Sequence, residues 1–237
     1  MRRSMLFLPG NTPNILQNGD ALGADAVIFD LEDAVAPDQK DAARILVRNT
    51  MTYLDFSRVE VIVRINSVDA DFWKKDLETI LPLKPSLIMP PKSSCAQDVL
   101  TVDAYMSQLE DRLGFARNTV RLIPLIETAL GVENAYQIAS CTPRVAAIFL
   151  GGEDLTADLQ CKRTKESQEI EYARSRMVCA ARAAGVDVYD TPFTDVNDDE
   201  GIRIDAEKAK SLGFTGKSAI SPRHVPVINE VFSPSQR

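Results

Sequence analysis

Leu122-Ile123-Pro124-Leu125-Ile126-Glu127-Thr128-Ala129-Leu130-Gly131 is the stretch that decides how this chain folds. Its apolar half has the length of a buried strand, and a carboxylate, Glu127, ends it. Thr128 is placed to cap a helix running from Ala129 to Ile138. An acid where a buried strand opens into a helix serves packing badly and chemistry well, because ligands of α/β folds collect at the carboxyl ends of strands. The next apolar run, from Val145 to Leu150, repeats the arrangement and ends in Gly151-Gly152-Glu153-Asp154. Two successive strands that each deliver an acid to one rim point to a hard-cation site.

Outward from that stretch, eight short apolar runs recur: Met5–Leu8, Ala26–Phe29, Val59–Val63, Leu87–Met89, Leu122–Ile126, Ala146–Leu150, Val186–Tyr189 and Ser218–Ile220. Between them, Asp38–Met51, Ala96–Leu113, Glu166–Ala184 and Asp198–Leu212 read as helices; in the third, Ile170, Ala173, Met177, Ala181 and Ala184 keep one apolar face. Eight strands alternating with helices imply a parallel sheet that closes, so the fold class is α/β, a (β/α)8 TIM barrel, in one domain over residues 1–237. An open doubly wound sheet would need a glycine-rich phosphate turn after the first strand, and Pro9-Gly10-Asn11-Thr12-Pro13 does not supply it. Charged residues follow most strands directly: Asp30-Leu31-Glu32-Asp33, Arg64-Ile65-Asn66, Pro90-Pro91-Lys92 and Asp190-Thr191-Pro192. Lys92 and Lys217 read as rim charges, with contact to phosphates the alternative, His224 as a surface residue and Phe72-Trp73 as part of an amphipathic helix face. After the last strand, Val225–Phe232 leaves room for a closing helix of barely two turns.

Composition narrows the chemistry. A net charge of −7, with no basic stripe, excludes nucleic acid and anionic membrane as favoured partners. Arg2-Arg3 precede only four apolar residues before Pro9-Gly10, too few for a signal peptide or a membrane span. Cys95, Cys141, Cys161 and Cys179 lack metal-binding spacing and read as reduced thiols of a cytoplasmic protein. With one histidine, any metal must sit on oxygen ligands, which favours Mg²⁺ or a similar ion.

Arg3-Ser4-Met5-Leu6-Phe7-Leu8-Pro9-Gly10, Phe29-Asp30-Leu31-Glu32-Asp33-Ala34-Val35-Ala36-Pro37, Val63-Arg64-Ile65-Asn66, Ile126-Glu127-Thr128-Ala129-Leu130-Gly131 and Gly151-Gly152-Glu153-Asp154-Leu155 occur in that order. Together they resemble the citrate lyase beta subunit-like branch of the HpcH/HpaI aldolase family, over residues 2–234. The resemblance implies a Mg²⁺-binding (β/α)8 barrel that makes or breaks a carbon–carbon bond in a 3-hydroxy-acyl thioester, such as a citryl, malyl or citramalyl thioester of coenzyme A or an acyl carrier protein. It implies that Glu127 and Asp154 hold the metal, that Arg64 contacts substrate, and that Glu32 and Asp33 hold metal-bound waters or line the pocket. It also implies a homotrimer or hexamer. Members of the family typically continue for several tens of residues as a lid; this sequence stops before it, so a truncated C-terminal helix without a lid domain is expected.

Such chemistry needs a hydroxyl proton removed and an enolate stabilised. Mg²⁺ on two carboxylates leaves room for a 2-oxo or 2-hydroxy acid to chelate. Arg64, always charged and planar, suits the enolate oxygen or a substrate carboxylate, or it pairs with Glu32 or Asp33. The backbone N–H groups through Gly131 and Val132 are placed to bind the other carboxylate, with Gly152 a further substrate contact. The leading expectation is a Mg²⁺-dependent lyase that releases a 2-oxo acid or glyoxylate, with Arg64, Glu32 and Asp33 as its catalytic groups. Its alternatives are an aldolase acting on free 2-oxo acids, and a 2-oxo-acid-binding subunit that needs partner chains for catalysis.

Overall fold

In a computed structural model that describes residues 2–234, the apolar runs become β1 (Ser4–Pro9), β2 (Ala26–Asp30), β3 (Glu60–Arg64), β4 (Leu87–Met89), β5 (Arg121–Leu122), β6 (Leu125–Ile126), β7 (Ala147–Leu150), β8 (Asp187–Asp190) and β9 (Gly216–Ala219). The helices are α1 (Pro13–Leu16), α2 (Lys40–Tyr53), α3 (Trp73–Ile80), α4 (Ala96–Leu113), α5 (Ala129–Glu133), α6 (Ala135–Ser140), α7 (Gly152–Asp158), α8 (Glu171–Ala184), α9 (Asp199–Leu212) and α10 (Val225–Phe232). Every strand pairing is parallel, in the order β5-β4-β3-β2-β1-β9-β8-β7-β6.

β5 and β6 are two halves of one barrel strand, interrupted at Ile123-Pro124. The Ile123 N–H still donates to Ile88 O at 2.9 Å, so the break does not open the wall. On the other side, the Leu122 N–H donates to Arg144 O (2.9 Å), the Ala146 N–H to Leu122 O (2.9 Å), the Phe149 N–H to Pro124 O (3.0 Å) and the Gly151 N–H to Ile126 O (2.9 Å). Those bonds close eight strands into the expected (β/α)8 barrel.

Alternation along the strands sorts side chains onto two faces. Val27, Phe29, Val61, Val63, Ile148, Leu150 and Val188 face outward into the main core, shared with the helices. Met5, Ala26, Ile28, Ile62, Leu87, Met89, Ile123, Leu125, Ala147, Phe149 and Tyr189 fill the barrel interior. Continuing the inward parity by two residues reaches Asp30, Arg64, Glu127, Gly151 and Thr191, and these residues line one mouth. The site is the top layer of the barrel core.

Several boundaries differ from the sequence reading. The helix expected from Ala129 to Ile138 divides at Asn134, whose side-chain amide donates to Ser94 O at 2.9 Å. The helix expected from Glu166 begins at Glu171, because Ser167 adopts φ +58° and a single 3-10 turn follows. α8 and α9 stop at Gly185 and Gly213, whose positive φ values of +72° and +105° admit glycine without a Cβ penalty. Phe72-Trp73 does begin a helix, with Trp73 buried on its inner face. Among the described residues no helix is long and apolar enough to cross a membrane, and all four cysteines are free.

Candidate active site

The mouth at the carboxyl ends of the strands is a cleft of about 390 Å³. Phe7, Leu125 and Phe149 form its apolar floor, with Phe7 and Phe149 edge to face at 5.8 Å. Asp30, Asp33, Arg64, Glu127 and Asp154 supply the charge, and Thr191, Pro192 and Ile220 complete the wall.

Arg64 is held by a residue to which the sequence reading assigned no role. Its Nε donates to Asp30 Oδ1 at 2.7 Å and its Nη2 to Asp30 Oδ2 at 2.5 Å, a buried bidentate pair. Asp30 also accepts the N–H groups of Glu32 (2.9 Å) and Ala34 (3.2 Å), which folds the following loop over the pair. Arg64 Nη1 remains toward the cleft, 3.3 Å from Glu32 Oε2 and 3.7 Å from Asp33 Oδ2. The guanidinium lies 5.2 Å from the Phe7 ring centre, so the ring covers one of its faces. The pairing with Glu32 and Asp33 is therefore real but secondary to Asp30. The signal was available, since Asp30 has the inward parity of Ile28.

Glu127 is 3 % exposed. Its Oε1 accepts the Lys92 N–H at 2.7 Å. Burial, which exceeds the opposing pull of Arg64, and repulsion from Asp154 push its carboxyl up to about 8. A Cβ placed on Gly151 would stand 2.7 Å from Glu127 Oε2, so glycine there preserves the space beside that oxygen. Asp154, in the first turn of α7, faces the same cleft. No group of three or more acids, histidines or cysteines with metal-binding geometry occurs among the described residues. Two carboxylates beside an open space suit a hard cation that keeps waters and takes further oxygens from a ligand.

Of the two further acids expected here, Asp33 lines the cleft and Glu32 does not. Glu32 is buried between Lys92 Nζ (2.8 Å from Oε1) and Arg64 Nη1. Burial raises its carboxyl above the usual range despite those cations. Asp33 is more open; burial opposes its ionisation, but contact with Glu32 and the charges of Arg64 and Lys92 hold it low. Lys92, with its side chain 41% exposed and outside the lining of the cleft, is the rim charge expected, and it is paired with Glu32.

The three backbone positions expected to bind substrate have other partners. The Gly131 N–H donates to Thr128 Oγ1 at 3.0 Å and the Val132 N–H to Thr128 O at 2.9 Å, while Asp158 takes the Ala129 N–H at 2.7 Å. Neither Gly131 nor Val132 lines the cleft; Gly131 is small because a Cβ would meet Ser93 O at 2.8 Å. Thr128 caps its helix as the sequence predicted, and that cap is what occupies the amide. Gly152 does line the cleft, but its N–H donates to Thr191 Oγ1 at 2.9 Å.

Two other readings are corrected by burial. Lys217 is not a rim charge: it is fully buried, with Nζ 2.6 Å from Asp190 Oδ2, Asp205 Oδ2 and Thr191 O. Arg174 completes this cluster through Asp190 (2.9 and 2.8 Å) and Asp205 (2.8 Å). Asp190 has the outward parity of Val188, so it meets α8 and α9 and leaves the cleft to Thr191. His224 is likewise fully buried, against Phe193, and burial lowers its pKa.

Residues 3–222 match the model of the HpcH/HpaI aldolase/citrate lyase family. The chain belongs to that family. It is 38% identical over 237 residues to citrate lyase subunit beta of Leuconostoc mesenteroides subsp. cremoris, covering 100% of this chain and 78% of the relative. It is 36% identical over 255 residues to the L-malyl-CoA/beta-methylmalyl-CoA lyase of Cereibacter sphaeroides (strain ATCC 17025 / ATH 2.4.3), covering 99% and 80%. Among solved structures, protein CitE from Mycobacterium tuberculosis in complex with magnesium and pyruvate is similar with a TM-score of 0.83 and 32% identity, covering 100% of this chain and 92% of that one. The same protein in complex with magnesium, acetoacetate and coenzyme A gives a TM-score of 0.82 and 32% identity, covering 99% and 82%.

Proposed function

We propose that this chain is a Mg²⁺-dependent carbon–carbon lyase that cleaves or forms a 3-hydroxy-acyl coenzyme A thioester, yielding a 2-oxo acid or glyoxylate and an acyl thioester. The observation that carries this reading is the buried Glu127 carboxylate, set beside Asp154 and a space kept open by Gly151. The family relatives that act on citrate and malyl-CoA support the reaction class, and the neighbour crystallised with magnesium, acetoacetate and coenzyme A supports the metal and the carrier.

Glu127 and Asp154 would hold the cation, which supplies Lewis-acid polarisation of a carbonyl and acidifies a hydroxyl. Arg64 offers Nη1 to the oxygen on which enolate charge develops. Asp30 fixes the guanidinium plane beforehand, so little reorganisation accompanies that charge. Asp33 lines the cleft and Glu32 is buried behind it between Lys92 and Arg64, and there the two would order water. Phe7, Leu125 and Phe149 exclude water from the floor and strengthen each of these interactions.

The test is an assay of the purified chain with citryl-, malyl- and citramalyl-CoA, reading oxaloacetate, glyoxylate and pyruvate. Release of one of them, abolished by EDTA and restored by Mg²⁺, is the expected result. No turnover of any thioester, with Glu127→Ala indistinguishable from the parent, overturns the reading. Retro-aldol turnover of free 4-hydroxy-2-oxo acids in its place would reassign the enzyme to the aldolase class.

A further inference from the structure

Lys92 is a non-glycine residue held at φ +52°, a left-handed conformation that disfavours a side chain. It follows Pro90-Pro91 at the end of β4, and its turn is pinned on both flanks. The Leu125 N–H donates to Pro90 O at 3.0 Å, and the Ser93 N–H donates to Leu125 O at 3.0 Å. The product of that turn is one contact: the Lys92 N–H meets Glu127 Oε1 at 2.7 Å. Glycine would make the same contact without steric conflict, so the backbone alone does not explain lysine.

The side chain explains it. Its Nζ lies 2.8 Å from Glu32 Oε1 and 3.5 Å from Asp33 Oδ1. Arg64 takes the other oxygens of the same two acids, at 3.3 and 3.7 Å. Glu127 and Asp154 form one acidic pair lining this cleft, and Asp33 at its wall with Glu32 buried behind forms a second. Without the ammonium, the second pair would compete for a divalent cation with oxygen donors of the same kind. Arg64 is committed to Asp30 and cannot neutralise Glu32 and Asp33 by itself.

The geometry points to Lys92 as a positioning residue that confines the divalent cation to Glu127 and Asp154: its amide commits one Glu127 oxygen while its ammonium occupies the Glu32–Asp33 pair. This inference rests on the metal reading above and specifies how the chain enforces a single metal position. The lysine acts through the acids on either side and takes no part in bond cleavage.

Mn²⁺ titration of the metal-free full-length chain, followed by electron paramagnetic resonance, tests it without relying on activity. The parent and Lys92→Arg are expected to bind one Mn²⁺. Lys92→Met and Lys92→Gly are expected to bind a second one, and to lose turnover roughly 10- to 100-fold at saturating Mg²⁺. Lys92→Gly also relieves the left-handed backbone, and a circular dichroism spectrum like the parent's is expected of it. A single Mn²⁺ bound by both Lys92→Met and Lys92→Gly overturns the inference, whatever their turnover. A parent that binds no Mn²⁺ overturns the metal reading first and this inference with it.

Discussion

Two strands of this barrel end in an aspartate that grips an arginine with both oxygens. Asp30 ends β2 and holds Arg64; Asp190 ends β8 and holds Arg174. Chemically the pairs are alike, but they differ by one step of strand parity. Asp30 points into the barrel, at the floor of an open cleft. Asp190 points out, between the sheet and α8 and α9. In the outer cluster charges balance, since Arg174 and Lys217 meet Asp190 and Asp205, all at most 3 % exposed. Burial there works against ionised Asp205, yet Lys217 and Arg174 hold its carboxyl down to about 2. In the inner cluster, the five acids Asp30, Glu32, Asp33, Glu127 and Asp154 outnumber the three cations Arg64, Lys92 and Lys40, and Glu127 rises to about 8. Compensated charge makes a structural clamp, whereas an acid surplus makes a site that attracts a cation.

The most severe way to break that contrast is to remove the surplus. Glu127→Ala is expected to lower kcat/KM by about 10³-fold, the scale on which a positioned electrostatic group acts, with a circular dichroism spectrum like the parent's. Exchanging the two aspartates for asparagine comes next. Asp30→Asn should reduce turnover about 100-fold by freeing the guanidinium. Asp190→Asn should leave kcat of the folded protein within about threefold, but cost about 3–5 kcal/mol of stability because two buried cations lose a partner. For a chain of this size, that is a fall in Tm of roughly 10 °C by calorimetry.

Titration sharpens the comparison further. Glu127 has a folded pKa raised from 4.5 to about 8, so the folded chain keeps a proton that the unfolded chain releases. Metal-free protein should therefore lose stability as pH rises from about 4.5 to 8, by an amount on the order of a few kcal/mol, and Mg²⁺ or Glu127→Gln should flatten the slope. The smallest effect belongs to Asp205, lowered from 3.8 to about 2. Its contribution, about 2 kcal/mol, is fully present above pH 4 and is lost as pH falls toward 2. Denaturant melts of Asp205→Asn across that window should show a shallower acid limb than the parent. An unchanged limb would mean that the outer cluster is not what acid titrates.

Strand number, strand ends and the acids that follow them were readable in one dimension, because alternation at period two is set by backbone geometry and needs no partner. The same rule applied two residues further would have assigned Asp30 and Thr191 to the cleft and Asp190 to the outer layer. What local pattern could not supply was compensation. Lys92 meets Glu32 across 60 residues, Arg64 meets Asp30 across 34, and Lys217 meets Asp190 across 27. Gly131 and Val132 were misjudged for a related reason: their amides were free in principle, and only the folded cap showed that Thr128 takes both.

The sequence by itself therefore determined a closed eight-stranded barrel, its functional end, and Glu127 and Asp154 as acids that follow adjoining strands. Only the tertiary structure decided which charges are neutralised. It buried Lys217 and His224, gave Arg64 to Asp30, and turned Lys92 left-handed so that its amide reaches Glu127. The physical reason is range. Side-chain direction is fixed within a strand, but the energy of a charge depends on every neighbour that folding brings within a few ångströms and on the water it removes.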